Sequence, residues 1–169
     1  MGSGSSSSYN DITTGSQPYA PTYSVTRDML KKDKKDSDIY NPNTGYFHNP
    51  TAQNLEKSIR DGNIYSDGEK ADSSFPYVLD TDGNIIFGKR SNPNNPDKRS
   101  PHPTLIGGKD PKVQCAGILK ISDGKIVSVD NRSGHFKPNE LSMKKVYNAL
   151  EDLRSRHPEV FSPKYKGGN

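Results

Sequence analysis

Short apolar runs separated by Asp-Gly steps are the clearest pattern along this chain. Two such runs flank Asp82-Gly83 within residues 77–87, and two more flank Asp123-Gly124 within residues 113–129. Asp-Gly readily adopts the positive φ angles that a tight hairpin turn needs. The last of these runs is rich in β-branched residues, which favour strands. The pattern therefore predicts two antiparallel hairpins, with Asp80, Asp82 and Asp123 serving as turn residues.

The best helical pattern lies near the C-terminal end, in residues 139–156. Met143, Tyr147 and Leu150 fall on one face of such a helix, and Asn139 is a suitable N-cap. One long helix following antiparallel hairpins is typical of an α+β domain. We therefore expect a small antiparallel sheet of Asp-Gly hairpins with one long C-terminal helix, preceded by a disordered N-terminal region.

The rest of the chain contains weaker signals. Leu55 and Ile59 lie one helical turn apart, so residues 51–60 are expected to form a short helix that stops at Asp61-Gly62. Residues 91–101 are rich in Asn and Pro, which disfavours strand structure. The predicted organisation is a disordered leader or tag at 1–20, a partly ordered polar segment at 21–70, a compact α+β domain at 71–161 and a disordered tail at 162–169.

The N-terminal residues are dominated by Ser and Gly, and they permit two explanations. Gly2 and Ser6 fit the loose acceptor pattern for N-myristoylation, whereas the same run is typical of an expression linker, which we favour. There is no apolar stretch long enough to cross a membrane and no ordinary cleavable secretory signal. Delivery by a dedicated injection machine remains open.

Composition changes the picture in two ways. Only 28% of the residues are hydrophobic and the mean hydropathy is −0.97, so part of the chain is not expected to contribute to a core. The net charge is +4, and the positive excess lies in the C-terminal hundred residues, which is compatible with an anionic partner but does not establish one. Trp is absent and the basic residues are scattered, which disfavours specific nucleic-acid binding. We expect a monomer.

The single cysteine, Cys115, cannot form an internal disulfide and lies inside a predicted strand. We interpret it as a packed, unreactive thiol. The sequence contains no nucleotide-binding glycine loop, metalloprotease His-Glu pair, nucleophile elbow or calcium loop. No metal site is expected.

Two loops carry chemistry beyond what a turn requires. They are Pro101-His-Pro-Thr-Leu-Ile-Gly-Gly108 and Arg132-Ser-Gly-His-Phe-Lys-Pro138. Each places a histidine near a hydroxyl residue and glycine, and the hairpin between them would let both loops meet at one end of the sheet. Histidine carries protons near neutral pH. The alternative is structural: the histidines fix the loops by hydrogen bonds and the glycines supply unusual backbone angles.

The ordered motifs resemble those of a known domain. Residues 75–153 contain His-x-x-Leu-x-Gly-Gly, Ala116-Gly117 and Ser-Gly-His-aromatic-x-Pro in series. This series resembles the IQM-like domain of plant IQM calmodulin-binding proteins and of bacterial proteins similar to secreted effectors or toxin C-terminal modules. No IQ-type segment is present, so calmodulin binding is not carried over. Cys115 is not part of the pattern.

The resemblance implies a toxin or virulence effector that is secreted or injected and acts in the target cell's cytoplasm. It would be a transferase or hydrolase that modifies a host or competitor-cell protein or a small anionic substrate. ADP-ribosyl transfer is the expected reaction, with NAD as substrate rather than as a bound cofactor. The alternative is a non-enzymatic protein-interaction module.

The resemblance also implies a set of site residues. The expected catalytic residues are His102, His135 and Ser133. The expected substrate-binding residues are Thr104, Gly107, Gly108, Arg132, Gly134, Phe136 and Lys137. The weakness of the transferase hypothesis is the lack of an acidic residue in either motif. Glu140 and Glu151 are the nearest in sequence, and we expect both to lie on the helix surface.

Overall fold

A computed structural model describes residues 22–92 and 95–167 of the 169-residue chain. The predicted disordered leader at 1–20 lies outside the described residues. The long helix is α2 (Glu140–Arg156), and a short helix, α1 (Arg27–Asp33), precedes the first strand. The strands are β1 (Tyr40–Asn41), β2 (Gly45–Tyr46), β3 (Gln53–Asn54), β4 (Ile59–Arg60), β5 (Asn63–Ser66), β6 (Glu69–Lys70), β7 (Ser73–Asp80), β8 (Ile85–Phe87), β9 (Ser91–Asn92), β10 (Asn95–Arg99), β11 (Val113–Ser122) and β12 (Lys125–Val129).

The central feature is a five-stranded antiparallel sheet in the order β12-β11-β7-β8-β3. Both predicted hairpins belong to it: β7 pairs with β8, and β11 pairs with β12. The two hairpins are joined through the long pairing of β11 with β7. The α+β fold class predicted from the sequence is thereby confirmed.

Helix α2 covers one face of this sheet. Asn139 caps the helix as predicted, because its side-chain oxygen accepts a hydrogen bond from the Ser142 backbone N–H at 3.1 Å. Met143, Val146 and Leu150 are buried against the sheet and form the main core with its side chains. The side chains of β7 alternate between the two faces, so Tyr77 packs on this side and Val78 on the other.

The opposite face is covered by loops rather than by a helix. Leu105, from the 3-10 turn His102–Leu105, and Phe136 pack there against Val78 and Ala116. This second core brings both motif loops onto the same side of the sheet. The loops are therefore anchored by apolar burial, and their polar side chains are held at its margin.

Residues before 71 contribute to the fold. Strand β3 forms the edge of the central sheet by pairing with β8, and Leu55 and Ile64 are buried in the main core. At the other end, Tyr165 is buried and packs edge-to-face against Phe161 with ring centroids 5.0 Å apart. The sequence predicts a disordered tail from residue 162.

The prediction of a short helix over residues 51–60 is wrong. That segment forms β3, a single 3-10 turn at Glu56–Ser58, and β4. Asp61-Gly62 is a hairpin turn between β4 and β5 rather than a helix stop, with φ angles of 53° and 77°. Leu55 and Ile59 have helical spacing, but pairing of β4 with β5 and burial of Leu55 determine the local structure.

The structure also contains hairpins that the sequence patterns did not predict. Asp67-Gly68 forms another two-residue turn, between β5 and β6, with φ angles of 55° and 85°. Within residues 91–101, predicted to lack strands, β9 and β10 pair through Asn92–Asn95 and Ser91–Arg99. The register shifts between these two pairs, so Pro96 can lie within β10 although it has no N–H to donate.

Among the described residues, no helix is both long enough and apolar enough to cross a membrane. The predicted absence of a membrane-spanning helix is confirmed for this part of the chain.

Candidate functional site

His102 and His135 line the same cleft, whose volume is about 470 Å³. Arg132 and Gly134 from the second motif loop also line it. Pro101, which begins the first motif loop, lines it as well, and the remaining lining residues come from outside both motifs: Met29, Lys32, Asp33, Asp36, Ile39, Pro76, Arg90, Arg99 and Ser100. A volume in this range is typical of small-molecule sites in proteins.

His102 is held in one tautomer by the main sheet. Its ring Nε2 lies 2.8 Å from the carbonyl oxygen of Gly117, and because that oxygen can only accept, Nε2 carries the proton. Burial lowers the pKa of His102 to about 4, with a smaller contribution from nearby His135. His102 is therefore neutral at pH 7, and Nδ1 is its acceptor nitrogen.

Gly117 makes this arrangement possible. A Cβ at this position would lie 2.0 Å from the carbonyl oxygen of Asp130, so only glycine allows β11 to pass this close to the chain that follows β12. Asp130 in turn shapes the second motif loop, because its Oδ1 accepts hydrogen bonds from the backbone N–H groups of Ile118 and Arg132. Gly117 thus supports both histidine loops: its carbonyl oxygen binds His102, and its lack of a side chain leaves room for Asp130.

His135 is paired with a buried carboxylate. Its Nε2 lies 2.9 Å from Oδ2 of Asp33, and the side chains of His135 and Asp33 are only 13% and 6% exposed. The Tyr46 hydroxyl donates to the same oxygen at 2.5 Å. If Asp33 is ionised, Nε2 of His135 must donate to it, which leaves Nδ1 as the nitrogen that can accept a proton.

Tyr46 keeps its proton in this cluster. Burial raises the pKa of Tyr46 far above its usual range, and the hydrogen bond to Asp33 and the negative charge of Asp33 add to the effect. The hydroxyl is therefore a permanent donor to Asp33. Oδ2 of Asp33 is thus bonded to both the Tyr46 hydroxyl and the His135 ring, which fixes the carboxylate in position. The fixed carboxylate in turn orients the ring of His135.

Several elements position the acidic partner. Asp33 is the last residue of α1, and Tyr46 ends β2. The backbone N–H of Thr26, just before α1, donates to the carbonyl oxygen of His135 at 2.8 Å. The segment before residue 71 is thus bonded to the second motif loop through both backbone and side chain.

The cleft is rich in positive charge. Lys32, Arg90, Arg99 and Arg132 line it, together with the carboxylates of Asp33 and Asp36. Among the residues that the structure describes, Lys32, Arg90 and Arg99 form no ion pair, and Arg132 lies 3.8 Å from Asp130. Cations without a carboxylate partner favour an anionic ligand.

The β9–β10 hairpin sets the spacing of two of these cations. Arg99 is opposite Ser91 in the register, and the Ser100 backbone N–H donates to the carbonyl oxygen of Arg90 at 2.6 Å. Arg90 comes directly before β9 and Arg99 ends β10, so the two residues lie at the open end of one hairpin. Two guanidinium groups placed this way can engage the two ends of a diphosphate.

The remaining residues of the first motif lie away from this cleft. Thr104 is buried, and its hydroxyl donates to the carbonyl oxygen of Pro101 at 2.7 Å. Gly107 and Gly108 have φ angles of 81° and 87°, and Gly108 exchanges backbone hydrogen bonds with Tyr46. These residues shape the loop and hold β2 in place. They thereby position Tyr46, whose hydroxyl donates to Asp33.

The second motif divides in the same way. The Ser133 hydroxyl accepts a hydrogen bond from the Phe136 backbone N–H at 3.3 Å, and Phe136 is buried in the second core. Lys137 is exposed, with a φ angle of 47°. None of these three residues lines the cleft. Their substrate-binding and catalytic roles remain predictions from the resemblance.

The sequence reasoning missed the acidic residue of the site. Asp33 lies in a highly charged run, and nothing in its local pattern distinguishes it from the other acidic residues there. Its role depends on contacts 13 and 102 residues away along the chain. Glu140 and Glu151 are exposed on α2, as expected.

Cys115 is fully buried in the main core. Burial raises the pKa of its thiol, which supports the interpretation of an unreactive packed side chain. In the described part of the chain, no three His, Cys, Asp or Glu side chains are grouped so that they could hold a metal ion.

Comparisons of this chain with models of protein families, with curated proteins and with solved structures find no match.

Proposed function

We propose that the protein is a group-transfer enzyme that uses the cleft between the two histidines to transfer ADP-ribose from NAD to a target-cell molecule. The observation that carries this proposal is the buried Asp33–His135 pair in a cleft lined by four cationic side chains. The pair provides a base, and the cations provide electrostatic attraction for a diphosphate.

In the proposed reaction, the bond between the ribose C1′ and the nicotinamide nitrogen breaks, and nicotinamide leaves with the bonding electron pair. A bond forms between C1′ and the nucleophilic atom of the acceptor, which is a protein side chain or water. The acceptor's proton passes to Nδ1 of His135. Asp33 stabilises the resulting imidazolium through the hydrogen bond at Nε2.

The other residues of the cleft have separate roles in this proposal. Neutral His102 offers Nδ1 as an acceptor for a ribose hydroxyl, since its Nε2 is committed to Gly117. Arg90, Arg99 and Arg132 bind the diphosphate of NAD. Asp33 supplies the acidic group that the motifs themselves lack.

The test is nicotinamide release from NAD by the purified full chain, with His135→Gln as the main variant. Glutamine retains an N–H that can donate to Asp33 but cannot take up a proton. We expect turnover to fall by roughly 10²–10⁴-fold, while the thermal unfolding midpoint and NAD affinity change little. His157→Gln is the matched control, since this histidine is also partly buried and bonded to a carboxylate, that of Glu56, but does not line the cleft.

Two results would contradict the proposal. Full activity of His135→Gln would show that His135 is not the base. If the purified chain neither releases nicotinamide nor transfers a label from labelled NAD to a cell extract, the proposed NAD chemistry is wrong. The effector role is tested in cells: the full chain is expressed in bacteria and yeast beside the His102→Ala, His135→Ala double variant. We expect the wild type alone to slow growth and lower the NAD level.

A specific observation favours the alternative of a non-enzymatic interaction module. Several motif residues are used within the fold, since Thr104, Gly108, Ser133 and Phe136 all serve loop or core contacts. In that case the double histidine variant would lose thermal stability and no NAD would be consumed. Partner capture with the full chain would then identify the bound protein.

A further inference from the structure

A second cleft of about 520 Å³ adjoins the histidine cleft. Ile39, Arg99 and Ser100 line both clefts, so the two clefts meet at these residues. The second cleft is also lined by Phe47, His48 and Pro50. No residue of either sequence motif apart from Thr104 contributes to it, and the function proposed above does not use it.

Phe47 is an exposed aromatic side chain in this second cleft. Among the described residues, Phe47 and Leu141 are the large hydrophobic side chains that remain exposed, at 43% and 68%. Leu141 lies on α2 and lines neither cleft. An exposed aromatic ring beside a cationic cleft is suited to stacking against a flat heterocycle.

Hydrogen bonds hold the main chain at Phe47 in place. Its N–H donates to the carbonyl oxygen of Ile39 at 2.9 Å, and the neighbouring Tyr46 is bonded on both sides to Gly108. Because side chains alternate along an extended chain, Tyr46 points inward to Asp33 while Phe47 points to the opposite side. Tyr46 thus holds Asp33 of the histidine cleft, while the next residue, Phe47, lines the second cleft.

Arg99 stands where the two clefts join. A ligand with phosphates at Arg99 could extend one end towards the histidines and the other towards Phe47. We infer that the two clefts form one bipartite site for a nucleoside diphosphate, with the phosphates at Arg99 and the heterocyclic base against Phe47. This inference rests on the proposed function, because in NAD the base against Phe47 would be adenine and the reacting ribose would lie near His135.

Binding of two probes to the full chain separates the two parts of the site. Isothermal titration calorimetry is carried out with ADP and with inorganic pyrophosphate. Phe47→Ala is expected to weaken ADP binding about tenfold, since stacking on an aromatic side chain is lost, and to change pyrophosphate binding less than about twofold. Arg99→Ala is expected to weaken both ligands, because Arg99 contacts the phosphates in either case.

Two matched variants serve as controls. Leu141→Ala removes the other exposed hydrophobic side chain and should leave both affinities unchanged. Phe47→Tyr retains an aromatic face and should bind ADP within about twofold of the wild type. Thermal unfolding of each variant confirms that the fold is intact, as expected for exposed positions.

The outcomes distinguish this inference from the proposed function. Equal ADP affinity of Phe47→Ala and wild type would overturn the bipartite site, even if nicotinamide is released from NAD. Phe47-dependent ADP binding without nicotinamide release would support the bipartite site and contradict the transfer reaction. If Phe47→Ala raised only the KM for a protein acceptor, the second cleft would be an acceptor site and the inference would be wrong.

Discussion

His102 gives a direct test of the site's electrostatics through the pH dependence of stability. Its ring is buried and bonded to Gly117, and burial lowers its pKa to about 4 from an ordinary value of about 6.5. Between these two values the unfolded chain binds a proton at this position that the folded chain does not. The free energy of unfolding must therefore fall as pH falls through this window.

The expected loss follows from the two pKa values. A difference of one pKa unit corresponds to about 1.4 kcal/mol, so titration of His102 between pH 7 and pH 5 lowers the free energy of unfolding by about 2 kcal/mol. His102→Gln can still donate to the Gly117 carbonyl oxygen but does not titrate. Its free energy of unfolding should therefore decrease less, by about that amount, over the same interval.

The assay is urea denaturation of the full chain at pH 7 and pH 5, with His48→Gln as the control for an exposed histidine. The control should keep the full pH dependence of the wild type. If His102→Gln and wild type lose the same stability, the burial argument is refuted. An independent check is the NMR signal of the His102 ring protons in the wild type, which should complete only about a tenth of its titration between pH 7 and pH 5.

Two further predictions concern the framework of the site. Gly117→Ala should lower the free energy of unfolding by about 2 kcal/mol or more, because the added Cβ would overlap the Asp130 carbonyl group. Gly134→Ala, where a Cβ meets nothing within 4 Å, should be close to neutral in the same urea titration. A fragment of residues 71–169 lacks the buried Leu55 and Ile64, so it should show no cooperative urea unfolding and no near-ultraviolet circular dichroism. A cooperative transition in that fragment would contradict the second prediction.

The elements predicted correctly are those with strong local patterns. Asp82-Gly83, Asp123-Gly124 and the capped helix after Asn139 each carry turn or capping chemistry next to a clear hydrophobic period. The helix predicted over residues 51–60 failed because two apolar residues at helical spacing are too weak a signal. The adjacent Asp61-Gly62 and Asp67-Gly68 steps, which form the same kind of turn as Asp123-Gly124, were the better guide.

The candidate site was predictable only in part. His102 and His135 attract attention as histidines in glycine-containing loops, and both line the cleft. Asp33, Tyr46 and Arg99 have no local signature, because what distinguishes them is contact with residues far along the chain. Single-sequence reasoning identifies residues with unusual chemistry, whereas ordinary charged residues become site residues only through the tertiary fold.

His102 and His135 differ in the group that is bonded to Nε2, and this difference suits them to different roles. A backbone carbonyl accepts the proton of His102 but carries no charge to balance an imidazolium, and burial keeps that ring neutral. At His135 the acceptor is the carboxylate of Asp33, which can stabilise positive charge as it forms. A proton released in the cleft would therefore go to His135, while His102 remains a fixed acceptor of hydrogen bonds. In the proposed reaction this division depends on Asp33, so the segment before residue 71 supplies the group that would let His135, and not His102, act as the base.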